Sequence, residues 1–569
     1  MIGLIAVAIL LVQPGYYLVK KIGLSGAFAI VLALSLSLGI NATVLFYSSL
    51  AFPLTLSFLW AYTIALAVLF FFSRPFITIK INQIERIEKL LLVIFSITLF
   101  LTFLICFKPT GAYGTISYHL PAINEFLENG QLPVFENPIN GYQTGIMAYP
   151  YAMHAAVASF NILTGLELQN YVMFLILLLV GLMLYFLSGE NQRTFLAPLF
   201  FIVSLIVIIF GTPVLTDTLS TLMFLVGTFF LLKVFEKQED KFSFMNGVSF
   251  GLMLLVKPLG AFFFAGNIAF LFLHKKWRAG IVSIVGFAMV SSIYFLRVIL
   301  WLPHMGERWG LVSLNAGLNA TTYFSNFHIL TQSFAAFLFA YIPYLIPILI
   351  LLAVIRKKGI GKDLILKLAA FYFVFYCIFA PLNIWFYDFI GFSRFIWPVL
   401  VLGCIVAAKE AKHLFKREKI IKLISMILIF GIIIGQIGYL GLISRGSRLL
   451  PANHGKPLTP YYYNQLKEVI PNTADVKAYY ANADNPIIYG FEKITIVDTH
   501  AFNEPEGEPC DFLHEENITH VLFWLPGKIS PHLFQEFNSK LLESIKKEEC
   551  GKIVQDYEGW VIVYQTEFD

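Results

Sequence analysis

Charge is what this sequence has least of. Asp, Glu, Lys and Arg make up 13% of its 569 residues, against 58% hydrophobic and 16% aromatic. An ordinary soluble domain is about one-quarter charged, so a soluble body of this length could not cover itself with polar surface. Most of the chain must face lipid or other protein. Cysteine is scarce too: Cys106, Cys377 and Cys404 lie in apolar runs, and Cys510 and Cys550 in a polar tail. No C-x-x-C and no Cys/His metal spacing occurs, which argues against structural zinc. The tail pair is either a disulfide, if the tail lies outside the cytoplasm, or two unrelated thiols. Also missing is the signal-peptide order of basic region, short apolar core and cleavage site. The first apolar run, Met1 to Val19, carries its Lys20–Lys21 pair at its end and reads as a retained anchor. Internal repeats and midspan charges are absent, which ranks a transporter last among the functional classes. The net charge of +5 is modest, and no nucleic-acid partner is expected.

What is abundant is apolar runs. Crossing ~30 Å of hydrocarbon takes about 20 mostly apolar residues, and about fourteen such runs occur, near 1–19, 23–46, 50–72, 90–107, 168–188, 195–211, 218–235, 243–256, 259–273, 279–300, 330–354, 363–381, 394–408 and 420–443. Basic residues gather at 20–21, 74–89, 236–241, 274–278, 356–362 and 409–422. These are alternate loops, so one orientation places all of them in the cytoplasm. The outer side then receives the N-terminus, loops 108–167 and 301–329, the turn 212–217, Lys257, loop 382–393 and the tail. Residues 149–165 would break this alternation as a span and read as an outer interfacial helix, with Tyr149, Tyr151 and His154 at headgroup level. A second such helix is predicted over Ser117–Asn129, with Leu120, Ile123 and Leu127 on one face. Asn41, Asn319 and Asn517 begin N-x-T sequons. The tail alternates short β-rich runs (476–481, 494–498, 520–525, 552–557, 560–565) with one helical pattern, 530–549, and reads as a small α/β domain.

Polar groups at a membrane are costly unless paired or used. The outer side collects Tyr118, His119, Glu125, Glu128, Asp217, Lys257, His304, Glu307, Arg308, Asp388 and Arg394. Asp217, in "VLTDTLS", enters an apolar run and is either a helix N-cap or a site acid. Lys257 stands inside "GLMLLVKPLGAFF", beside the break at Pro258, and either snorkels outward or holds an anion. Arg394, opening a span on the outer side, suits a bidentate grip on phosphate; Asp388 either pairs with it or contacts substrate. His119 is a structural histidine, a ligand or a base.

The order "YHLP", "TDT", "GLMLLVKP" and "SRFIWPVLVLG" resembles integral-membrane glycosyltransferases of the GT-C fold, and within them the dolichyl-phosphate-mannose mannosyltransferase-like group. The likeness spans roughly residues 90–410. It implies a hexosyltransferase that takes a sugar from a polyprenyl-phosphate carrier in the plasma (inner) membrane and passes it to a glycan, lipid or protein acceptor on the outer face. The absence of a nucleotide-binding loop on the cytoplasmic side fits such a donor. The resemblance also implies Lys257 and Arg394 on the leaving phosphate and Asp217 as the second outer acid; Tyr118 and Asp388 are expected at the substrate. Divalent metal is used by some members and not by others. The family's first loop reads D-x-x-x-Y-H-x-P, and here the aspartate position is Gly114. Glycine neither accepts a proton nor binds a metal, so the base is Asp217, Glu125 or His119, or the chain binds a lipid-linked glycan without catalysis; a lipid-linked glycan ligase would share the large outer loops. The expected architecture is therefore a mainly α, polytopic GT-C-like bundle: N-terminal spans 1–89, catalytic module 90–444 and extracytoplasmic α/β domain 445–569.

Overall fold

The computed structural model describes residues 2–73, 86–106, 120–131, 150–189, 194–202, 216–301, 320–340, 345–360, 363–382, 395–414, 476–480, 494–498, 509–515, 518–524, 543–544, 546–547, 549–557 and 561–566. The chain divides into two compact units. One holds Met1–Lys108, Phe126–Val134 and Ala148–Tyr439, and the other Pro109–Glu125, Phe135–Met147 and Leu440–Asp569.

The first unit is helical. Its described helices are α1 (Ile2–Val12), α2 (Gly15–Lys21), α3 (Ala27–Ser49), α4 (Leu56–Ser73), α5 (Arg86–Cys106), α7 (Ala152–Thr164), α8 (Gln169–Leu187), α9 (Leu196–Ile202), α10 (Thr216–Lys237), α11 (Asp240–Val256), α12 (Leu259–Leu273), α13 (Trp277–Trp301), α14 (Ala320–Ala340), α15 (Leu345–Lys358), α16 (Leu364–Phe379) and α17 (Trp397–Leu414). Helix α6 (Leu120–Asn129) falls where the two units meet along the chain. Six segments among the described residues are long and apolar enough to cross a membrane: Ile2–Lys21, Ala27–Ser49, Gln169–Leu187, Thr216–Lys237, Trp277–Ile299 and Leu364–Leu382.

Lipid gives apolar helices no hydrophobic reason to associate, so close backbone approach and interhelical hydrogen bonds must hold them. Helices α11 and α13 supply both. A methyl group added at Gly247 would lie 1.9 Å from the Ser283 carbonyl oxygen, and one at Gly286 would lie 2.3 Å from that of Phe244. Only glycine admits this contact. Above it runs a buried polar chain: Asn267 Nδ2 donates to Asn246 Oδ1 (2.8 Å), Asn246 Nδ2 to the Gly227 carbonyl (2.9 Å) and Ser283 Oγ to the Ser243 carbonyl (2.9 Å). Four helices are thereby tied through two amides. At the N-terminal break between α1 and α2, Ser37 Oγ accepts the Gly15 N–H (2.8 Å) and donates to the Val12 carbonyl (2.7 Å). Asn41 Nδ2 donates to the carbonyls of Leu10 and Gln13, while Tyr62 Oη donates to Asn41 Oδ1. The Asn41 sequon is therefore no glycan acceptor, because its amide is fully buried inside α3.

Two interfacial expectations change. Helix α7 is enclosed by α1, α3 and α4, and Tyr151 and His154 are fully buried by neighbouring helices rather than facing headgroups. The buried side of α6 carries Ala122, Ile123 and Phe126, while Leu127 is exposed. At the end of the helix the Gly130 carbonyl accepts the Leu54 N–H (2.7 Å).

In the second unit a five-stranded sheet has the order β2-β1-β3-β5-β4, with β1 (Val476–Tyr480), β2 (Ile494–Asp498), β3 (His520–Trp524), β4 (Gly551–Tyr557) and β5 (Val561–Thr566). Strand β1 pairs parallel with β2 and β3, and β5 antiparallel with β3 and β4. Val521 faces Tyr564 across β3 and β5, and both are fully buried. Helix α18 (Pro509–Glu515) carries Cys510, which forms a disulfide with Cys550 just before β4. Most of the helical pattern predicted over 530–549 lies outside the described residues.

Candidate functional site

The helix directions sort the charged side chains by end. Helices α10 and α11 form a hairpin that turns through Gln238, whose φ of 56° is left-handed. At the hairpin's turn end, Arg278 at the start of α13 pairs with Asp240 at the start of α11. Asp363 caps α16 by accepting the N–H groups of Ile365 and Leu366, and Lys409 near the end of α17 reaches it at 3.1 Å. The predicted cytoplasmic segments 236–241 and 274–278 thus meet through one pair, and Lys409 of segment 409–422 reaches the start of α16 through the other.

The opposite end holds a different chemistry. Asp217 is the second residue of α10, and its own carbonyl accepts the Thr221 hydroxyl (2.8 Å). Lys257 occupies the joint between α11 and α12 with extended backbone, φ −156° and ψ 137°, and its N–H closes α11 on the Met253 carbonyl (2.9 Å). The joint is tight because Gly260 lets α12 fold back: a methyl group there would lie 2.2 Å from the Leu254 nitrogen. Lys257 Nζ donates to Asp217 Oδ1 in an ion pair, with the two residues 5% and 3% exposed. The Phe395 ring, just ahead of α17, lies 4.3 Å from the same ammonium. A desolvated cation over a ring is worth ~2 kcal/mol. The two helix ends suit their charges: Asp217 sits at the positive N-terminal end of α10, and Lys257 at the negative C-terminal end of α11.

Asp217 and Lys257 are the two sequence-derived candidates whose side chains are described, and they touch. Gly114, Tyr118, His119, Asp388 and Arg394 lie outside the described residues, as does the side chain of Glu125 in α6. Arg394 is the chain neighbour of Phe395.

The sequence reading passed over Arg297. It lies near the end of α13, 4% exposed, with its guanidinium 5.7 Å from the Phe46 ring. Because α11 and α13 run parallel with Gly247 against Ser283 and Gly251 against Val290, Arg297 stands at the same end of the bundle as Lys257. Its signal was one basic residue in "IYFLRVILW", near the end of the apolar run 279–300. Glu88, another buried charge at the start of α5, accepts the Phe195 N–H (3.0 Å) ahead of α9.

Among the described residues no three His, Cys, Asp or Glu side chains converge as metal donors. The described site offers one carboxylate, Asp217, already engaged by a cation. A divalent ion would need donors beyond the described residues.

Helical architecture, apolar spans and a buried ion pair at one end define a multi-pass membrane protein. Neither protein-family models nor curated protein sequences match this chain. Among solved structures it is similar to the crystal structure of ArnT from Cupriavidus metallidurans bound to undecaprenyl phosphate, with a TM-score of 0.50 and 11% identity over 84% of this chain and 98% of that one. At that identity the likeness is one of fold, and it supports the GT-C architecture.

Proposed function

We propose that this protein is a membrane glycosyltransferase that moves a sugar from a polyprenyl-phosphate carrier to an acceptor on the outer face of the plasma (inner) membrane. The observation that carries this reading is the buried Lys257–Asp217 pair at a helix break, set in a fold shared with a protein whose crystal structure is bound to undecaprenyl phosphate. An ammonium is a compact charge suited to phosphate, and Arg394, next in the chain to Phe395, adds a bidentate fork. Asp217 takes the acceptor's proton, because Gly114 leaves the first outer loop without its usual acid; Glu125 and His119 are the other candidates. Tyr118 and Asp388 contact the substrate. In this reading about fourteen spans cross the bilayer, divided as 1–89, 90–444 and 445–569, with the tail an extracytoplasmic α/β domain. The Cys510–Cys550 disulfide supports that placement, since such bonds persist in oxidising compartments.

Gly114 favours a second reading, a non-catalytic relative that binds a lipid-linked glycan. Incubation of the purified chain with radiolabelled polyprenyl-phosphate sugars and a panel of acceptors separates the two. The enzyme reading expects label to reach an acceptor, with a large loss in Asp217→Asn; full activity of that variant removes Asp217 from the chemistry. Binding without transfer favours the second reading. No binding of any such donor overturns both.

A further inference from the structure

Lys257 cannot hold a phosphate and keep its carboxylate partner on equal terms. Both side chains are almost fully buried, so a phosphate brought to Lys257 would set a second anion against the same ammonium where water is excluded, an arrangement that burial penalises. We infer that Lys257 exchanges partners: the carrier's phosphate displaces Asp217 from the ammonium, and the displaced carboxylate becomes the proton acceptor. This rests on the polyprenyl-phosphate reading above.

The geometry lets the pair part without stranding either member. Lys257 keeps the Phe395 ring at 4.3 Å and the C-terminal end of α11. Asp217 keeps the first turn of α10, whose N–H groups and dipole favour an anion. Released from the ammonium, Asp217 Oδ1 is open to accept the acceptor's proton. Donor binding would therefore switch on the base, so Asp217 is quenched by Lys257 while no carrier is bound.

In the step itself, the acceptor's hydroxyl oxygen bonds to the anomeric carbon and gives its proton to Asp217. The bond from that carbon to the phosphate oxygen breaks, and its electron pair stays with the phosphate. The carrier leaves as a monoester with one more negative charge facing Lys257. Asp217 then passes its proton to water and the pair re-forms.

The test measures binding of a polyprenyl monophosphate, and separately of inorganic phosphate, to the full-length protein in mixed micelles. Asp217→Asn should bind both probes more tightly than the native chain, at least about tenfold for the lipid, because a buried competitor has been removed. Lys257→Gln should bind both more weakly, and in the double variant the gain from Asp217→Asn should vanish. An unchanged or weaker affinity in Asp217→Asn, or a gain that survives in the double variant, overturns the exchange. A second measurement needs no variant: labelling of Asp217 by a hydrophobic carbodiimide, read by mass spectrometry, should rise when polyprenyl monophosphate is added to the native chain. Unchanged labelling with the lipid bound also overturns it. If neither the native chain nor Asp217→Asn binds the lipid phosphate, the carrier reading itself falls.

Discussion

Asp217 and Lys257, 40 residues apart in sequence, form a buried ion pair that closes the α10–α11 hairpin at the end away from its turn. Neither residue's exposure exceeds 5%, so the pairing offsets much of what burial costs each charge. Removing one partner of such a pair leaves a bare buried charge and costs ~3–5 kcal/mol, whereas removing both is far milder. Lys257→Met alone should therefore lower the unfolding temperature in detergent more than Lys257→Met combined with Asp217→Asn. A double variant less stable than Lys257→Met alone would contradict the pairing.

The α11–α13 seam predicts an intolerance of a single methyl group. Gly247→Ala places a carbon where the Ser283 carbonyl stands 1.9 Å away. Overpacking of this kind costs ~1–3 kcal/mol, to be read as a lower unfolding temperature and reduced yield of monodisperse protein. Gly251→Ala, with a Val290 carbon at 2.8 Å rather than a backbone oxygen, should be the milder of the two.

The Cys510–Cys550 disulfide closes a loop spanning 40 positions. In the chain-entropy picture that constraint is worth ~4 kcal/mol to the sheet around it. Cys550→Ser should render the tail cleavable by protease under conditions where the native tail survives, and reductant should reproduce the effect on the native chain. Equal protease resistance with and without the bond would show that the sheet stands unaided.

His520, on β3 in the same sheet, is buried, and burial holds its imidazole below its usual pKa. The unfolded state then binds more protons than the folded one as pH falls through the ordinary histidine range, so stability rises with pH there. The contribution is present above the unfolded value near ~6.5 and is lost on acidification. The tail's unfolding temperature, followed from pH 7.5 downward by protease resistance, should drop, and His520→Gln should flatten that part of the profile.

Some of this was legible from residues alone. Fifteen to twenty apolar residues in a row can satisfy their backbone in lipid only as helix, and the helices α3, α8, α10 and α13 fall on apolar runs for that reason. Alternating β-branched and aromatic residues located the five strands within a residue or so, because a strand's pattern is local. The candidate site was half legible. Asp217 and Lys257 stood out as charges in apolar surroundings, but the sequence left each with a second reading, as cap or as snorkelling side chain.

Tertiary structure decided between partners. It set Lys257 against Asp217 because the α10–α11 hairpin and the Gly260 joint bring an N-terminus and a C-terminus to one place. It buried Asn41, and it buried Tyr151 and His154, which the sequence had placed at headgroup level, since enclosure by neighbouring helices leaves no mark on a helix's own periodicity. It drew Arg297 to the Lys257 end of the bundle through the register of glycines on α11 and α13. The sequence by itself determined which segments are helix, which are strand and which charges are out of place, because those follow from short-range chemistry. Which charge meets which was settled only by packing, because it depends on where each helix stops and on how closely two backbones can approach.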